Sequence, residues 1–196
     1  MHATAVDLAP NMLATARKLF EDEGLDQRVE LVEAYITALP DQLAEADWDG
    51  ISCVWTLHQL PDFGVLRAAL HQIAAVRQRS GAAVWIFDFQ RLKNPSTLEA
   101  MMPCVDPSMP PVLRKDGLAS EAAGFTHAEL SAELKKAGLG GLSSGRARPL
   151  PHVQAHWTPA TNRQIGRMAH VHDGQLHGRA RLDAALLRWG FTAKPF

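Results

Sequence analysis

Short apolar runs that read as strands alternate along this chain with longer stretches whose apolar residues fall at helical spacing. That alternation limits the available folds more than any other feature. The first run, 3–6, ends at Asp7. Pro10 follows where a first helical position falls, its fixed φ already suited to a helix. Met12, Leu13, Ala16, Leu19 and Phe20 continue the pattern as core candidates, and Gly24 stops it. A second run covers 29–32. A third, 50–55 (GISCVW), is almost continuously apolar, as in a strand covered on both faces. A helix over 63–76 sets Val65, Leu66, Ala69, Leu70 and Ile73 on one face, and Gly81 introduces a fourth strand over 82–89 (AAVWIFDF). Strands joined by helices of this length form parallel sheets with right-handed crossovers. The expected fold is therefore α/β, a doubly wound, mostly parallel, Rossmann-like sheet.

The stretch 94–124 looks irregular. Pro95, Pro103, Pro107, Pro110 and Pro111 interleave there with Met101, Met102 and Met109. It reads as a loop packed on the sheet or as a lid over an apolar substrate, since methionine adapts to varied shapes. Thr126 then opens a helix with Glu129 three residues on, a capping-box pattern, and Gly138 ends it. Strand candidates follow near 142–147 and 152–157. Residues 158–196 read as a tail carrying one amphipathic helix around 179–189. The expected organisation is one domain over 1–157, with 94–124 as an insert, followed by the tail.

Composition removes several functional classes. With 196 residues the chain is long enough for a substantial core. Twenty basic residues against twenty-one acidic leave a net charge of -1, which argues against a nucleic-acid binder relying on a basic face. No apolar run approaches the roughly 20 residues of a membrane span. No basic start leads into an apolar stretch, so no secretory signal is read. Two cysteines, Cys53 and Cys104, make no disulfide framework, and a cytoplasmic location is expected.

Ligands of open parallel sheets bind beyond the carboxyl ends of the strands. Asp7 follows the first run, and a carboxylate there has lone pairs enough to accept both hydroxyls of a ribose. Glu33-Ala34-Tyr35-Ile36 follows the second, Thr56-Leu57-His58-Gln59-Leu60-Pro61-Asp62 the third, and Asp88-Phe89-Gln90-Arg91 closes the fourth. The segment VDLAPNMLATAR resembles the one that follows the glycine loop in class I S-adenosylmethionine-dependent methyltransferases, roughly D-hydrophobic-S-P-x-M-L-x-x-A-R. The likeness continues through ALP at 38–40, WDGISCVWTLHQLPD at 48–62 and the strand after Gly81, and covers about residues 3–157.

This resemblance implies S-adenosylmethionine as cofactor and a small-molecule methyl acceptor. It implies that Asp7 holds the ribose and Leu8 packs on the adenine, with Ala34, Tyr35 and Ile36 lining the adenine pocket. It places Trp55, Thr56 and His58 near the methionine portion and the reacting methyl. Two departures stand out. Tyr35 takes the place of the family's usual Asp, and no strand with a glycine-rich loop precedes Asp7, which is the seventh residue. The expected fold is thus the family's without its first strand.

Other readings compete at single residues. His58 is a candidate general base, because imidazole as a side-chain type can exchange protons near neutral pH, or else a histidine satisfied at a strand–helix junction. His152, His156, His170, His172 and His177 invite a metal site, but three or four converging ligands are required and no metal is expected. Cys53, within an apolar strand, reads as an inert thiol. Arg146 and Arg148 read as solvated charge. The chain as a whole has two alternatives. One is a non-catalytic methyltransferase relative acting through assembly with further copies, in a homodimer for example. The other is a nicotinamide-binding Rossmann domain, which also uses an acid after its second strand.

Overall fold

The computed structural model describes residues 2–105, 107–146, 152–159 and 161. The tail helix expected around 179–189, and Arg148, His170, His172 and His177, lie outside these residues.

The strands form two sheets. In the first, β1 (Ala3–Asp7) pairs in parallel with β2 (Val29–Glu33), joined by α1 (Pro10–Asp22). In the second, β3 (Gly50–Val54) pairs in parallel with β4 (Ala83–Phe89). β4 then pairs antiparallel with β6 (Val153–Thr158), whose other edge carries β5 (Ser143–Arg146), also antiparallel. The α/β class stands, with the parallel character confined to the β1–β2 and β3–β4 ladders. A four-residue helix, α2 (Asp41–Ala44), links β2 to β3. Arg79 bonds the carbonyls of Ala44 and Ala46 and so ties this link to the helix that follows β3. Among the described strands, β1 and β3 each have a ladder partner on one side only.

That following helix, α3 (Phe63–Ser80), has both ends written in the sequence. The Asp62 carboxylate accepts from the Gly64 and Val65 amides, satisfying donors left orphaned in the first turn. Gly81, at φ 70, turns the chain out of the helix through the left-handed region. Leu66, Leu70 and Ile73 pack with Val84 and Ile86 of β4, Cys53 of β3, and Leu130 and Leu134 of α6 (His127–Lys136). Thr126 and Glu129 close the expected capping box on α6. On α1 only Leu13 is buried, while Met12, expected in the core, is 55% exposed. A two-stranded sheet gives one helix too little surface to cover a second row.

The 94–124 stretch is helical rather than irregular, with α4 (Ser96–Val105) and α5 (Pro111–Ala123). Pro111 occupies the start of α5, where a missing N–H costs nothing, and Pro103 sits in the last turns of α4. The two helices approach closely at Gly117, where a Cβ would fall 2.7 Å from the Met102 methyl. Among the described residues no helix is long and apolar enough to cross a membrane.

His156 of β6 is buried, shares a hydrogen bond of 3.2 Å with the Gln154 amide oxygen, and stacks on His127 at 5.1 Å. Burial, and then His127, push its pKa down to about 3. The folded chain therefore resists a proton that the unfolded chain accepts below about pH 6.5. Its contribution to stability is complete above that pH and is lost as pH falls toward 3. Urea unfolding at stepped pH should show a loss of up to about 1.4 kcal/mol per pH unit from this group, and His156→Gln should flatten that slope.

Candidate active site at the strand ends

The carboxyl ends of β1 and β2 lie side by side, with Asp7 opposite Glu33 and the Ala34 amide bonded to the Asp7 carbonyl at 3.1 Å. One Asp7 carboxylate oxygen accepts the Ala9 amide at 2.8 Å, which shapes the turn into α1. Around this carboxylate stand apolar side chains with little cover. Leu8 is 48% exposed and Tyr35 62%. Ala34 is half-buried, and Ile36 packs against the main core cluster.

At the end of β3 the backbone turns sharply. Trp55 has φ 54, a left-handed conformation that a bulky residue rarely adopts. Such outliers persist only where the surroundings enforce them. Here the Trp55 amide is held by the Phe87 carbonyl at 2.9 Å. Its ring meets Phe87 edge-on at 4.7 Å and Phe89 at 4.5 Å. The Thr56 hydroxyl donates to the Val54 carbonyl at 3.0 Å, and residues Leu57–Gln59 make one 3₁₀ turn.

That turn is anchored by Asp88, the last inward-facing residue of β4, which is only 2% exposed. One of its oxygens accepts the Leu57 amide at 2.5 Å and the His58 amide at 3.2 Å. The other lies 2.6 Å from His58 Nδ1 and also accepts the Phe89 amide at 2.7 Å. A carboxylate only accepts, so Nδ1 is assigned the proton and Nε2 keeps its lone pair. His58 is itself 7% exposed, edge-on to Phe89 at 5.0 Å. This geometry is that of a general base held in one tautomer by a carboxylate. Cys53 offers no rival nucleophile, because burial, and then the Asp88 charge, push its thiol up to about 12.

His58 opens onto a cleft of about 710 Å³. Trp55, Gln59 and Phe89 form one wall, and Asp116, Ala119, Ser120 and Ala123 of α5 form the other. Among the described residues no group of three metal-ligating side chains converges.

The structure divides the residues singled out from the sequence into two groups. Asp7, Leu8, Ala34 and Tyr35 gather on the first sheet. Trp55, Thr56 and His58 gather on the second, where Asp88 and Phe89 join them. The pairing of Asp88 with His58 was not read from the sequence, although a carboxylate within an apolar strand was the available signal. The 94–124 segment reads in the sequence as a lid or a packed loop but not as helices, because its prolines read as breakers, although Asp116, Ala119, Ser120 and Ala123 already fall on one helical face.

The chemistry at the first group suits an adenosyl moiety, with one carboxylate for a diol set among exposed apolar side chains that a purine would cover. The methyltransferase domain family matches residues 1–81. No curated protein sequence matches the chain. Among solved structures it is similar in fold to an O-methyltransferase described as putative from Nostoc punctiforme, with TM-score 0.52 and 19% identity, over 80% of this chain and 45% of that one. It is similar to the O-methyltransferase of neocarzinostatin biosynthesis, solved with S-adenosylmethionine and 2-hydroxy-5-methyl naphthoic acid, with TM-score 0.51 and 21% identity, over 82% of this chain and 42% of that one. A Rhodobacter sphaeroides protein described as a putative zinc-dependent alcohol dehydrogenase shares the fold at TM-score 0.55 and 12% identity, over 82% of this chain and 76% of that one. The chain thus spans less than half the length of the two O-methyltransferases. The chain thus resembles methyltransferases in sequence over its first 81 residues and shares their fold over about four-fifths of its length.

Proposed function

We propose that this chain transfers a methyl group from S-adenosylmethionine to the hydroxyl oxygen of a small aromatic acceptor. The observation that carries this reading is the buried His58–Asp88 pair opening onto a cleft walled by Trp55 and Phe89. Asp7 would hold the ribose hydroxyls, with Leu8, Ala34 and Tyr35 beside the base and Trp55 and Thr56 toward the methionine end. The bound cofactor supplies an electrophilic methyl on a sulfonium. His58 Nε2 takes the acceptor's hydroxyl proton as the oxygen attacks. With the methyl that the sulfonium would give up to the acceptor oxygen, leaving a neutral thioether, the acceptor's proton would stay on the imidazole beside Asp88. Trp55 and Phe89 orient the ring, so much of the acceleration comes from alignment. A small-molecule acceptor in the cytoplasm, with neither nucleic acid nor membrane as partner, agrees with the balanced charge and the buried thiol of Cys53.

Calorimetric titration with S-adenosylhomocysteine tests the cofactor site. Binding is expected, and Asp7→Ala should weaken it about 10- to 100-fold, the worth of hydrogen bonds to a charged group. Absence of heat with the unaltered chain would remove the cofactor assignment. Tighter binding of NADH than of S-adenosylhomocysteine would favour the nicotinamide reading instead.

A second reading, assembly with another copy, is supported by the one-sided ladders of β1 and β3, where Val6 and Val54 are exposed. Sedimentation of a dimer would support it, and a monomer would remove it.

A further inference from the structure

Among the described residues, the charge lining the acceptor cleft is of one sign. Among the described lining residues the only side chain with a permanent charge is Asp116, and neither Lys nor Arg joins it. Behind His58 lies a second carboxylate, Asp88. A cleft bounded by apolar walls focuses such a field and discriminates between ligands of opposite charge. On α5, Asp116, Ala119, Ser120 and Ala123 share the face turned to Trp55 and Phe89. Three of these four side chains are small, leaving room for a flat ring.

We infer that the methyl acceptor is a flat aromatic hydroxyl compound carrying a protonated amine. Its ring lies between the Trp55–Phe89 wall and the small-residue face of α5, and its ammonium sits against Asp116. The inference rests on the reading of this cleft as the acceptor site. It makes Asp116 the residue that selects acceptors by charge, and an aromatic carboxylate acceptor is disfavoured.

Three probes of the same bicyclic phenol test it on the full chain: 5-hydroxytryptamine (cationic), 5-hydroxyindole (neutral) and 5-hydroxyindole-3-acetate (anionic). Their affinities are measured by calorimetry without cofactor. The cation should bind about three- to tenfold more tightly than the anion, the range expected for one exposed charge, with the neutral probe between them. Asp116→Asn should bring the three together, and Asp116→Lys should reverse their order. An order unchanged by Asp116→Asn, an anion that binds tightest to the unaltered chain, or binding of none of the three would overturn the inference. Because this readout needs neither cofactor nor proton transfer, its failure is distinct from that of the proposed reaction. Methyl transfer without charge preference would remove the amine and leave the reaction standing. A His58→Ala chain that keeps the charge order while losing transfer supports both.

Discussion

Replacing His58 with alanine should slow methyl transfer to an aromatic hydroxyl by about 10²- to 10⁴-fold near neutral pH, with the affinity for S-adenosylhomocysteine unchanged. The reason is the acceptor's own acidity. A phenol of pKa about 10 is ionised roughly once in a thousand molecules at pH 7, and the neutral hydroxyl is a poor nucleophile. In the proposed reaction His58 would supply the missing deprotonation, at a position set by Asp88 rather than by solvent. The same reasoning gives a signature that a merely structural histidine would lack. The rate of the His58→Ala chain should climb with pH until the phenol ionises by itself, so the deficit closes at high pH. A deficit constant across pH would assign His58 to packing. Single-turnover transfer measured from neutral to alkaline pH separates the two.

Removing the Asp88 side chain should cost the fold about 3–5 kcal/mol, measured by urea unfolding of Asp88→Ala. This carboxylate receives the amides of Leu57, His58 and Phe89 as well as the His58 ring, all at the edge of the core. Alanine would leave those donors buried without an acceptor, and buried unmet donors are costly singly. Asp88→Asn asks a different question. Its amide keeps one acceptor oxygen but turns two donors toward the site. When the –NH₂ faces Nδ1, the imidazole proton moves to Nε2 and the lone pair facing the cleft is lost. The asparagine chain should therefore be folded and nearly as slow as His58→Ala. A folded Asp88→Asn chain with full activity would show that the imidazole's tautomer does not matter.

Much of this architecture is legible in the sequence wherever local chemistry decides it. Pro10 marks a helix start by its fixed φ and the Thr126–Glu129 box another by backbone satisfaction, and the structure keeps both. The 94–124 stretch misleads because a proline's effect depends on its place. Pro111 at a first helical position starts α5, whereas the same residue mid-helix breaks one. Met12 misleads because helical spacing identifies a face but not how much sheet lies beneath it. The candidate site is legible strand by strand, since ligand residues follow strand ends. Its central pair is not. His58 and Asp88 stand thirty residues apart and meet only because the parallel β3–β4 ladder sets Val54 opposite Phe87. No local pattern encodes that register.

The central claim is that the methyl of S-adenosylmethionine ends on an oxygen in the His58 cleft. Carbon-13 in that methyl follows it most directly. The full chain is incubated with methyl-labelled cofactor and 5-hydroxytryptamine, and the carbon-13 spectrum is recorded. The account predicts a new O-methyl ether resonance growing as the S-methyl resonance fades, abolished near neutral pH in the His58→Ala chain. A label that stays on sulfur, arrives on nitrogen or carbon, or reaches oxygen equally fast without His58 would contradict it.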